Sequence, residues 1–186
     1  MELSGPQWVT RFPTSKSTSS LSEPFRSNLN RFVAALTAAH ANIGIEATLR
    51  PPERAYLMHF SFRIAREGLN PTDVPAKAGI DIQWMHRDAG GNPDVAASRA
   101  AAEKMVRGYE IVFRPSLNSR HTEGKAIDMV ISWQGDLTIA DASGAVICIA
   151  SLPRDGARNT ELHRVASTYG VLKLASDPPH WSLDGR

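Results

Sequence analysis

A chain of 186 residues with 42% apolar side chains has enough material for one ordinary domain and its core. Its 21 basic and 19 acidic side chains leave a net charge of +2, which excludes the basic footprint of a nucleic-acid binder. A single cysteine, Cys148, excludes an internal disulfide and any thiolate zinc cluster, so a bound metal has to take His and carboxylate ligands.

The first residues, Met1-Glu-Leu-Ser-Gly-Pro-Gln-Trp8, have neither a basic n-region nor an apolar h-region. No secretory signal is therefore expected, and the chain reads as made in the cytosol. No run approaches the ~20 apolar residues of a membrane span. Residues 1–26, rich in Ser, Thr and Pro from position 9 onward, are expected to form an arm or loop ahead of a domain spanning 27–186.

From 27 to 40 the apolar residues Leu29, Phe32, Val33, Leu36 and Ala39 recur at steps of three and four, predicting a helix. Alternation over 43–49 predicts a strand. Pro51 and Pro52 suit a helix start, so 53–66 reads as a second helix, stopped by Gly68. Residues 70–92, with one apolar island at 80–84, read as a long excursion over the surface or a cleft. A third helix is expected from Pro93 or Asp94 through Met105, closed by Gly108, and then a strand over 109–113.

Strands are expected at 125–132 and 136–140, joined as a hairpin through Trp133-Gln-Gly135, with a further strand at 146–150 in which Cys148 is a small core side chain. Thr160 is the expected N-cap of a last helix that runs to Tyr169 and ends at Gly170. Helices first and mostly antiparallel strands afterwards indicate an α+β fold, a small sheet flanked by helices.

The segment Ser119-Arg-His-Thr-Glu-Gly-Lys-Ala-Ile-Asp128 leads a polar loop into a buried-looking strand. Period two puts Ala126, Asp128 and Val130 on one face of that strand. A carboxylate there is partly desolvated and needs a cation or strong hydrogen bonds. His121 stands at the mouth of the same strand, where its imidazole reaches the same ion. Gly124 permits a turn at positive φ, and Ala126 leaves space beside Asp128. By spacing alone a His and an Asp seven apart are commonplace.

All five specified residues of this segment match the Ser-x-His-x-x-Gly-x-Ala-x-Asp signature that it resembles, that of the zinc D-Ala-D-Ala carboxypeptidases, vancomycin-resistance dipeptidases and phage L-Ala-D-Glu endopeptidases. Those enzymes share the Hedgehog/DD-peptidase fold. The stretch Asp177-Pro-Pro-His180-Trp181 resembles the family's C-terminal segment with its last ligand. The resemblance implies a zinc ion held by His121, Asp128 and His180, with the fourth position open to water. It implies a general base at Asp177, where the family more often has Glu; Glu123 is the alternative.

Glu46-Ala-Thr-Leu-Arg50 resembles the family's strand-end segment, which implies that Arg50 holds a carbonyl oxygen or carboxylate of the substrate, with Arg54 as backup. Ser119 is expected to hydrogen-bond a ligand or the substrate, and Trp181 to pack beside the site against the substrate. His59, His86, His40 and His163 have no assigned role.

The implied substrate is a peptide of bacterial peptidoglycan, cut by a carboxypeptidase or endopeptidase. Further phrases, Arg50-Pro-Pro-Glu-Arg-Ala-Tyr-Leu-Met-His59 among them, resemble relatives associated with type VI secretion. A secretion system, with an immunity partner, or phage lysis would carry such an enzyme to the cell wall without a signal peptide. The alternative is a zinc-binding interaction module on the same scaffold, without turnover.

Overall fold

In the computed structural model, which describes residues 1–186, the elements in chain order are β1 (Glu2–Leu3), α1 (Phe25–Ala38), β2 (Asn42–Ala47), α2 (Pro52–Arg66), β3 (Ile82–Gln83), β4 (His86–Arg87), β5 (Pro93–Asp94), α3 (Val95–Gly108), β6 (Ala126–Ser132), β7 (Leu137–Ala140), β8 (Val146–Ile149), α4 (Thr160–Thr168), β9 (Leu172–Lys173) and β10 (His180–Ser182). This is a mixed α/β fold with four helices and several small, mostly antiparallel sheets. No helix is long and apolar enough to cross a membrane. The backbone divides into two units, one of Met1–Pro13 with Pro51–Asn118, the other of Thr14–Arg50 with Ser119–Arg186.

In the second unit, α1 presents Phe25, Leu29, Phe32 and Leu36 at steps of four, three and four, and all four are fully buried. They join Ile127, Met129 and Ile131 of β6, Leu162, Val165 and Ala166 of α4, and Trp181 in one core. Each such side chain contributes about 1.5–3 kcal/mol on leaving water. The sheet under this helix runs β2-β6-β10-β9 and is antiparallel at every step. Strand β6 is central, paired along one edge with β2 and along the other with β10. A bulge in β2 between Ile45 and Ala47 shifts the register as that strand approaches Asp128.

The hairpin expected between β6 and β7 does not form. Strand β7 pairs with β8 instead, as a separate two-stranded ribbon. Gly135 does supply a turn, with φ +66, but β6 pairs with β2 along one edge, and its other edge is taken by β10 at Ala126–Asp128 and by residues 154–156 beyond, where Gly156 N–H donates to Ile131 O at 2.8 Å. Along β8 only Ile149 is buried, and Cys148 is exposed rather than packed in the core. Helix α4 is capped by Asn159, whose side chain accepts from the Leu162 amide at 2.9 Å, so Thr160 is the first helical residue and not the cap.

In the first unit α2 and α3 pack through Tyr56, Leu57, Phe60, Ile64, Ala102 and Met105, with Trp8, Ile82, Trp84 and Tyr109 around them. Asp94 caps α3 by accepting from Ala97 at 2.8 Å. The N-terminal stretch expected as an arm is packed: β1 pairs with β3, and Trp8 is 3% exposed. Residues 14–26 belong to the other unit, where Leu21 and Phe25 are core residues. The expected boundary at 26/27 is thus replaced by a discontinuous division at 13/14, 50/51 and 118/119. The apolar island at 80–84 packs into the core of this unit through the buried Ile82 and Trp84.

No strand forms over 109–113. Glu110 takes φ +56, and Val112 and Phe113 are 76% and 84% exposed. A run of strand formers becomes a strand only where a neighbour accepts its ladder, and none pairs here.

Candidate metal centre

The alternation of β6 buries Ile127, Met129 and Ile131 beneath α1, and so turns Asp128 and Val130 to the opposite face. In the antiparallel register with β10, His180 stands directly across from Asp128. His121 reaches them from a loop tied by its own hydrogen bonds: Thr122 N–H donates to Ser119 O at 3.0 Å, Gly124 N–H to His121 O at 3.3 Å and Lys125 N–H to Arg120 O at 2.8 Å.

Gly124 lies at φ +67, and a Cβ there would sit 2.8 Å from Ser22 Oγ and 3.1 Å from Ser22 N. The residue is glycine because the backbone of 20–22 closes on it; Ser22 N–H donates to Gly124 O at 2.9 Å. Arg120 anchors the same loop through two contacts to Asp184, at 3.1 and 2.5 Å.

Three ligating atoms meet. His121 Nε2 is 3.1 Å from Asp128 Oδ1 and 3.1 Å from His180 Nδ1, and His180 Nδ1 is 3.2 Å from Asp128 Oδ1. The two rings are near perpendicular, with centroids 4.9 Å apart, and both residues are buried, at 5% and 7% exposure. On the outer side of each ring, His121 Nδ1 donates to Thr48 O at 2.7 Å and His180 Nε2 donates to Arg186 O at 3.1 Å.

These backbone oxygens only accept, so each outer nitrogen carries a hydrogen, and the inner nitrogen of each ring is the one free to ligate an ion. Two imidazole nitrogens and a carboxylate oxygen then converge on one point, an arrangement that positive charge stabilises, whether a proton on an imidazole or a metal ion. A tetrahedral ion with bonds of about 2.0–2.1 Å separates its ligands by roughly 3.3–3.4 Å, close to the spacing seen here. The cluster of His121, Asp128 and His180 is therefore able to bind a metal ion, and carbonyl partners on both imidazoles are the outer support such ligands need.

Charge follows the same geometry. Burial pushes the Asp128 carboxyl up, but hydrogen bonds and charge from His121 and His180 outweigh it and hold it well below the usual carboxylate range. Burial pushes His180 down, and the Asp128 hydrogen bond, the Arg186 carbonyl and the charges of Asp128 and Asp177 raise it overall.

The other expected site residues fall in different places. Arg50 lies beside the cluster through its backbone, its N–H donating to His121 O at 3.1 Å. Asp177 is exposed in the loop before His180, and its carbonyl accepts from His180 N–H at 3.1 Å. Glu123 is exposed and engaged by Lys125 at 3.0 Å and Arg120 at 2.9 Å; these hydrogen bonds, that of Lys125 first, lower its pKa, the opposite of what a base working near neutrality needs. Ser119 accepts from Thr122 N–H at 3.3 Å through its hydroxyl and so braces the loop.

Trp181 is not positioned to touch a substrate. It is fully buried, edge-on to His163 and tilted against Phe32, because in β10 it points opposite to His180. Arg54 donates to Val9 O at 3.0 Å in the first unit. His163 bonds Gly156 O, His59 bonds Pro115 O and His86 meets Ser4, and none of them joins the cluster.

Three partners escaped the sequence reading. The carbonyls of Thr48 and Arg186 are backbone groups with no residue-type signal. Lys173, whose ammonium reaches His180 O at 3.1 Å, left only a faint one, a lone cation in the apolar run Val171-Leu-Lys-Leu174.

Glu46, Val130, Asp155, Ala157, Pro178 and Pro179 line a pocket of about 290 Å³. Met129 and Ile131 complete its lining, and none of His121, Asp128 and His180 faces it. No protein-family model matches the sequence, and no curated protein is matched by it.

Proposed function

We propose that this chain is a zinc-dependent peptidase of the Hedgehog/DD-peptidase fold that hydrolyses peptide bonds in bacterial peptidoglycan. The observation that carries the reading is the close triangle of His121 Nε2, Asp128 Oδ1 and His180 Nδ1, with both imidazoles pinned from behind. Three ligands with a fourth position left open is the pattern of a catalytic rather than a structural zinc site. Zinc bound there supplies a Lewis acid that polarises the scissile carbonyl and acidifies water.

The chain's own groups do the rest. Thr48 O and Arg186 O fix which nitrogen of each imidazole turns inward. The Asp177 carboxylate takes the proton of the attacking water and returns it to the leaving amine nitrogen. Arg50 holds the carbonyl oxygen or carboxylate of the peptide as charge develops on it. The resemblance of residues 119–128 and 177–181 to the zinc peptidases of the cell wall supports the substrate class. Delivery to the wall by a secretion system or by phage lysis belongs to the same reading.

The second reading is a zinc-binding interaction module without turnover. It is favoured by one feature, the shorter and exposed carboxylate at 177 where the family more often has Glu. Mass spectrometry of muropeptides incubated with the protein separates the two. New products with zinc that disappear with chelator are expected; no products with zinc bound leaves only the interaction module.

A further inference from the structure

The geometry points to Lys173 as the positioning residue of the site, a single ammonium that sets Asp177 and His180 together. Strands β9 and β10 are antiparallel neighbours, with Lys173 across from Trp181, and the turn between them carries Asp177. Lys173 Nζ donates to Leu174 O at 2.6 Å, to Asp177 O at 2.6 Å and to His180 O at 3.1 Å. An ammonium has three hydrogens, and all three are used on this one turn.

Each of the three carbonyls also accepts one backbone amide: Asp177 N–H on Leu174 O at 3.2 Å, His180 N–H on Asp177 O at 3.1 Å and Leu174 N–H on His180 O at 3.2 Å. Three carbonyl dipoles aimed at one point repel one another unless a cation sits there, so the ammonium stabilises the turn in this shape. Outside these bonds, the Met129 amide donates to Pro179 O at 2.8 Å and ties the end of the turn to β6. Ala175, Ser176, Asp177 and Pro178 are exposed and bury no side chain in the core.

The Lys173 ammonium lies 5.5 Å from the centroid of the buried Trp181 ring, so the clasp is anchored on the core. Arg186 O fixes the rotation of the His180 ring but not the path of the backbone before it. The ammonium therefore couples the backbone of the candidate base to that of the third ligand, through Asp177 O and His180 O. The role in catalysis rests on the function proposed for Asp177; the clasp itself does not.

The test compares the full-length protein with Lys173→Met, which keeps the stem and loses the charge, and with Lys173→Ala. Lys173→Met is expected to bind Zn2+ about tenfold more weakly or worse, the usual cost of losing an outer-shell support, in a competitive chelator titration. The amides of Asp177 and His180 should exchange with deuterium about tenfold faster, and kcat on muropeptides should fall with KM unchanged. Propylammonium should restore zinc affinity to Lys173→Ala, and tetramethylammonium, of equal charge but without hydrogens to donate, should not. Zinc affinity and exchange within twofold of wild type in Lys173→Met would overturn the proposal. If the wild type binds zinc but cuts no peptide, the catalytic reading fails while affinity and exchange still decide the clasp. If it binds no zinc, amide exchange alone decides it.

Discussion

Gly124→Ala isolates the reason a glycine stands inside the metal-binding loop. Two penalties apply. The left-handed φ of +67 costs about 1–2 kcal/mol for any residue with a Cβ. The added methyl would also lie 2.8 Å from Ser22 Oγ and 3.1 Å from Ser22 N, and these groups hold Glu123 O and Gly124 O by bonds of 2.9 Å each. Moving them aside loses one or both bonds, about 1 kcal/mol apiece. The expected total is about 2–4 kcal/mol, a fall of roughly 4–16 °C in Tm for a chain of this size.

Gly135 is the control, because it has nearly the same φ, +66, and a Cβ added there would meet no atom within 4 Å. Gly135→Ala should therefore show the backbone penalty alone, about 1–2 kcal/mol. Scanning calorimetry on both variants, with a Zn2+ titration of each, makes the comparison. Equal losses of stability at the two positions, with zinc affinity unaffected by Gly124→Ala, would refute the close approach of residues 20–22 as the reason for the glycine.

Asp177→Asn is expected to lower kcat by about 10²–10⁴-fold with zinc content unchanged, as measured by muropeptide assay and elemental analysis. Trp181→Ala should cost about 3–5 kcal/mol in a denaturant melt, the scale for deleting a buried aromatic; a small loss with an altered KM would return Trp181 to the substrate. Cys148 should react with a chromogenic disulfide reagent in the native protein, at a rate that denaturant raises little, because the residue is exposed.

Elements whose signal is carried by their own residues were legible in the sequence. The stripe Leu29, Phe32 and Leu36 announced α1, and Pro52 and Asp94 marked the starts of α2 and α3. The strand holding Asp128 was also legible, because alternation is local. Pairing is not local. Nothing within residues 125–140 says that β2 takes one edge of β6 and that β10 and residues 154–156 take the other, so the Gly135 turn suggested a hairpin that does not form. For the same reason Cys148 and Trp181 were misjudged in opposite directions: an apolar residue in a strand does not reveal which face is covered. At the site the meeting of His121, Asp128 and His180 was legible only through resemblance, since residue types alone do not give the register of His180 against Asp128. The supports from Thr48 O, Arg186 O and Lys173 depend on backbone geometry that residue types do not encode.

The central claim is that the triangle of His121, Asp128 and His180 holds a metal ion, and calorimetric titration with Zn2+ at neutral pH tests it most directly. The wild-type chain should take up one equivalent, and Asp128→Ala, His121→Ala and His180→Ala should each abolish or severely weaken that uptake while remaining folded. Absence of binding by the wild type, or undiminished binding by the three variants, would contradict the account.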